Sequence, residues 1–176
     1  RNWTMRDNRG FISPALLGAV AGSRRRSAGG AWTDNISLTG LSTDNTGNTL
    51  IVLFSITLPS GTATKLRMYD KAAGSTSSGI KAAIYTKSGS TYTIASSVGQ
   101  ANSGAPDAYT ELTIDPLVVA AGAYHVGYIV ETDNAYKYGY VAAASGTTRY
   151  ATGQTYAAGP QSSYSSTNAV SANYAH

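Results

Sequence analysis

From Trp32 onward, apolar and polar positions alternate over short runs broken by Gly, Ser, Asn and Pro, and no stretch keeps a helical period. Residues 64–70 set Leu66 and Met68 on one side and Lys65, Arg67 and Tyr69 on the other. Residues 80–85 set Ile80, Ala82 and Ile84 against Lys81, Ala83 and Tyr85, and Ser88, Gly89 and Ser90 turn the chain into a second strand at 91–98. Residues 49–58 form a long apolar run ended by Pro59, the pattern of a strand buried near the middle of a sheet. Further strands are expected at 35–41, 109–114, 117–119, 124–131, 136–140, 148–152 and 169–174, with 159–168 as loop. So many short strands joined by polar turns predict an all-β sandwich or barrel and not an α/β enzyme, and of the two an antiparallel sandwich is expected.

Residues 1–31 break that pattern. They read as charged, then small and apolar, then Arg24, Arg25 and Arg26, then Ser27, Ala28, Gly29 and Gly30, a flexible linker composition. Ser13 with Pro14 can start a short helix that places Leu16, Leu17 and Val20 on one face, and a helix of that size needs a surface to dock on. The expected organisation is an extended or short-helical basic arm over residues 1–31 and a β-sandwich domain over residues 32–176. The apolar stretch 11–22 contains Pro14 and falls well short of the roughly 20 residues a membrane-spanning helix needs, so no membrane span is expected there.

Charge sharpens the division. Six arginines against Asp7 give the arm a net charge of +5, while seven basic and eight acidic residues leave the body at −1. Attraction for a polyanion therefore belongs to the arm alone. Three arginines on a glycine-flanked linker are a small electrostatic handle, so nucleic acid is the weaker reading. Docking onto a partner protein accounts for Phe11, Ile12, Leu16 and Leu17 as well as Arg24, Arg25 and Arg26. Charged residues are only 12% of the chain, which leaves a polar but nearly uncharged surface, and the absence of cysteine excludes disulfides and thiolate metal sites.

Within residues 65–131, the runs Lys81-Ala82-Ala83-Ile84-Tyr85, Ile94-Ala95-Ser96-Ser97 and Leu117-Val118-Val119-Ala120-Ala121-Gly122-Ala123-Tyr124-His125-Val126-Gly127-Tyr128 resemble jelly-roll sandwich domains of phage fibre, spike or decoration proteins and bacterial surface proteins. The resemblance spans about 70 of 176 residues. It implies a jelly-roll-like sandwich and a virion or extracellular location.

No catalytic constellation is legible. His125 has no acid or second histidine at metal-ligand spacing, and His176 is the last residue in the sequence. No Gly-x-Ser-x-Gly elbow occurs. Glu111 and Asp115 read as a solvated face and a turn before Pro116, not as a glycosidase pair. Thr-Asp-Asn recurs at Thr33, Thr43 and Thr132, where local side-chain hydrogen bonds make ordinary turns. No cofactor, metal site or enzymatic activity is expected.

Residues 133–176 hold seven of the thirteen tyrosines. Tyr136, Tyr138 and Tyr140, with Tyr150 and Tyr156, are the candidate face for a ligand or a second subunit, because rigid rings among Ser, Gly and Asn suit adaptable recognition. The first expectation is a structural virion protein, a homo-oligomer whose arm plugs into a larger particle. The alternatives are a carbohydrate-binding module for cell-surface glycans and a subunit of a self-assembling extracellular filament.

Overall fold

Residues 42–45, 49–73, 79–102, 107–131, 136–142, 148–165, 167–170 and 172–174 are described by a computed structural model. The arm residues, the strand expected at 35–41 and His176 lie outside them. The described residues form thirteen β-strands and no helix. β2 (Leu50–Leu58), β4 (Gly79–Ser88) and β8 (Gly122–Val130) form the centre of an eight-stranded sheet. β5 (Thr91–Ile94), β6 (Gly99–Asn102), β10 (Thr148–Thr152), β11 (Ser163–Tyr164) and β12 (Asn168–Val170) complete it. The order runs β11-β5-β4-β8-β2-β10-β12, with β6 continuing the β5 edge of β4. The second sheet has β1 (Ser42–Asn45), β9 (Tyr136–Ala142), β3 (Gly61–Ala73) and β7 (Ala108–Val119) in that order, with β13 (Ala172–Tyr174) also on β9.

Every pairing is antiparallel, and three nest in chain order: β1 with β9, β2 with β8 and β3 with β7. From β1 to β4 and from β7 to β10 the chain changes sheet at each step. This is a rolled, jelly-roll-like antiparallel sandwich. Val52, Phe54, Ile84, Val126 and Tyr128 from the larger sheet meet Leu66, Met68, Leu112 and Ile114 from the smaller one in a single core. Phe54 and Tyr128 pack edge to face at 5.0 Å. Near one corner β6 closes on β7, where a β-carbon on Gly99 would stand 2.8 Å from the Thr113 carbonyl.

The larger sheet has a second apolar face. Ile51, Leu53, Ala83, Tyr85, Tyr92, Ala151 and Tyr164 are buried there together. Tyr164 and Asn168, in the strands at the two ends of the sheet order, are four chain steps apart, a reach of at most about 14 Å. Six flat strand spacings would put those ends about 29 Å apart, so the sheet is curled around this face. At the centre of the curl the small residues Ala83 and Gly127 are register neighbours, with Leu53 on the other side of Gly127.

Several boundaries differ from the sequence pattern for identifiable reasons. The strand expected at 91–98 ends at Ile94, because the Ala95 and Ser96 N–H groups turn back to the Ile84 carbonyl (2.8 and 3.4 Å) and Ile84 N–H donates to Ser96 Oγ (2.8 Å). The strands expected at 109–114 and 117–119 are one, β7, which absorbs Pro116 in a register shift opposite Ala63 and Lys65. Asp115 N–H there donates to Ser97 Oγ at 2.7 Å. The strand expected at 169–174 is divided, with β12 joining the larger sheet and β13 the smaller. The stretch 159–168 is not all loop, since β11 pairs with β5.

Candidate functional site

The site lies at the mouth of the curled sheet. On β4, alternation sends Ile80, Ala82 and Ile84 to the shared core and Lys81, Ala83, Tyr85 and Lys87 to the concave side. The two-residue turn Gly89-Ser90, with Gly89 at φ 57°, then brings Tyr92 back beside Lys87, as a type II′ hairpin requires. On β10, Arg149 pairs with Leu53 and Ala151 with Ile51, so Arg149 also projects to the concave side.

The segment after β10 crosses that side twice. Gln154 N–H donates to the Thr49 carbonyl (3.0 Å), and Lys81 Nζ donates to the carbonyls of Tyr156 (3.0 Å) and Ala157 (3.4 Å). Ile94 N–H then donates to the Ser162 carbonyl (2.9 Å), the Tyr85 hydroxyl donates to the Gln161 carbonyl (2.9 Å), and Gln161 N–H donates to the Tyr164 hydroxyl (2.8 Å). Burial, with Tyr164 beside it, pushes the Tyr85 phenol up, and burial raises that of Tyr164. From β11 the chain returns through Ser165 and Thr167 to β12.

Between this return and the β4–β5 hairpin lies a cleft of about 400 Å³, lined by Lys87, Ser90, Tyr92, Arg149, Ser165 and Thr167 with Gly89. Its lining contains two cations, three aliphatic hydroxyls and no acid. Lys87 Nζ lies 5.3 Å from the Tyr92 ring centre, within cation–π range. Arg149 Nε is buried and has no hydrogen-bond partner among the described residues. Beside the cleft, the His125 and Tyr92 rings pack T-shaped with centres 4.8 Å apart, and the buried His125 Nδ1 also has no partner among the described residues. Burial, and secondarily the charge of Lys87, lowers the His125 pKa from 6.5 to about 4, so the ring is neutral at pH 7.

The tyrosines singled out from sequence are distributed over several places. Tyr136, Tyr138 and Tyr140 lie in β9 of the smaller sheet, where Tyr138 pairs with Asp44 and Asp70 in backbone register. Tyr150 pairs with Val52, which puts it on the shared-core side of β10. Tyr156 is on the opposite, concave side, its ring 4.5 Å from Lys81 Nζ, and burial followed by the charge of Glu131 raises its pKa. Tyr150 and Tyr156 therefore share no surface. Phe11, Ile12, Leu16, Leu17, Arg24, Arg25 and Arg26 lie outside the described residues.

Lys87 and Arg149 were not among the residues the sequence pattern singled out. They are separated by 62 positions, and only the sheet order and curl bring them to one cleft. Of the acids weighed as a pair, Glu111 instead accepts a hydrogen bond from Lys65 at 2.7 Å on the exposed side of the smaller sheet. Among the described residues no three His, Asp or Glu side chains are grouped to hold a metal ion. Compared with protein-family models, with curated proteins and with solved structures, the chain matches none.

Proposed function

We propose that the chain is a non-enzymatic structural subunit, a virion-type appendage or decoration protein, in which residues 1–31 dock on a larger particle or a second copy and the sandwich projects outward. The observation that carries this reading is the break in charge and pattern between residues 1–31, at +5, and the body, at −1. An arm with that charge and with Phe11, Ile12, Leu16 and Leu17 in one run is suited to a partner surface. The antiparallel, sparsely charged sandwich supports the reading as a scaffold built from backbone pairing and two apolar layers. The phage attribution follows from the resemblance within residues 65–131.

The test is a full-length variant carrying Leu16→Asp, Leu17→Asp and serine at Arg24, Arg25 and Arg26. The reading expects unchanged far-ultraviolet circular dichroism and loss of the sedimenting assembly formed by the parent chain. An assembly that survives these changes would remove the arm from the account.

A further inference from the structure

We infer that the cleft between Lys87 and Arg149 is a binding site for an acidic sugar, a hydroxylated ring carrying a carboxylate or another oxyanion. It uses no residue of the arm, so it stands or falls independently of the docking role.

The concave side of the curled sheet is filled by Tyr85, Tyr92, Leu53 and Tyr164, and the cleft lies at its mouth, a recurrent place for small-molecule sites in β-barrels. The cleft there measures about 400 Å³, within the range of roughly 300–1,000 Å³ for such sites. Its walls come from β4 and β5 on one side of the larger sheet, β10 on the other and the returning segment, so a ligand would bridge elements already held by the Tyr85, Gln161 and Tyr164 hydrogen bonds.

Chemistry then selects the ligand. Lys87 and Arg149 face the same space with no carboxylate in the lining, although acidic residues outnumber basic ones in the body as a whole. An oxyanion in the cleft neutralises both cations and accepts hydrogen bonds from them. The hydroxyls of Ser90, Ser165 and Thr167 each donate and accept, which matches ring hydroxyls and serves a bare anion less fully. The lowered pKa of His125, due in part to Lys87, is consistent with a positive field under the cleft.

The experiment is saturation-transfer difference NMR on the full chain, which reads binding whether the protein is a monomer or an assembly. Sodium glucuronate is the probe, glucose the neutral comparison and inorganic sulfate the bare anion. Lys87→Gln and Arg149→Gln remove the cleft cations, and Lys65→Gln removes an equal charge from the other sheet. The inference expects transfer to glucuronate and none to glucose, weakened about tenfold or more by Lys87→Gln and unchanged by Lys65→Gln. Should Arg149→Gln fail to fold, the exposed Lys87 still decides the question. Equal transfer to glucose, or equal loss in Lys87→Gln and Lys65→Gln, would overturn the site. Sulfate displacing glucuronate at equal concentration would overturn the sugar assignment and leave a plain anion site.

Discussion

Gly127 leaves the space that the Tyr85 ring occupies: a β-carbon at Gly127 would stand 2.9 Å from Tyr85 Cε2 and 2.7 Å from Leu53 Cδ2. The glycine sits at the centre of the curl, paired with Ala83 and Leu53. Gly127→Ala forces these packed side chains apart, and the expected loss of stability is about 1–3 kcal/mol, the usual range for overpacking. Urea unfolding of the variant beside the parent measures it.

Tyr85 donates to the Gln161 carbonyl and Tyr164 accepts from the Gln161 N–H, which fastens the returning segment to the sheet. Tyr85→Phe removes a donor, and the expected loss is about 0.5–1.5 kcal/mol. Tyr164→Phe leaves the Gln161 N–H without its acceptor, and about 1–3 kcal/mol is expected. Amide exchange at Ile94, whose N–H bonds the Ser162 carbonyl, should accelerate in both variants.

His125 makes stability depend on pH. Its folded pKa of about 4 lies below the ordinary 6.5, so between those values the unfolded chain binds the extra proton and the folded chain does not. The contribution is complete above pH 6.5 and is lost as pH falls from 6.5 towards 4. Stability should drop by about 1 kcal/mol between about pH 7.5 and about pH 5.5, and His125→Gln should flatten this slope. Urea midpoints at the two pH values decide it.

Lys65 and Glu111 meet at 2.7 Å with both side chains about half exposed. A pair in that setting is screened by water and salt, so Lys65→Ala should change stability by less than about 1 kcal/mol, and less still at high salt. Thermal melts at two ionic strengths provide the measurement.

Much of the fold was legible because most strands bury one face. The alternation at Leu66 and Met68, and at Ile80, Ala82 and Ile84, follows directly from packing against the shared core. The unbroken run in β2 is apolar because Val52 and Phe54 enter that core while Ile51 and Leu53 enter the concave one. Gly99, Gln100, Ala101 and Asn102 carry no strand signature, and β6 exists because that backbone fits between β4 and β7. The cleft was hidden for a related reason. Its cations lie on strands far apart in sequence, and the curl that joins them depends on Gly127, whose role appears only once Tyr85 and Leu53 are in register beside it.

In the proposed function the arm assembles and the sandwich projects. Its most direct test is the mass in solution, by light scattering, of the full chain beside a version starting at Ala31, with near-ultraviolet circular dichroism confirming that both are folded. An assembly from the full chain and folded monomers from the shortened one is the predicted result. The same assembly from both would contradict the claim, and monomers from both would contradict self-assembly through the arm.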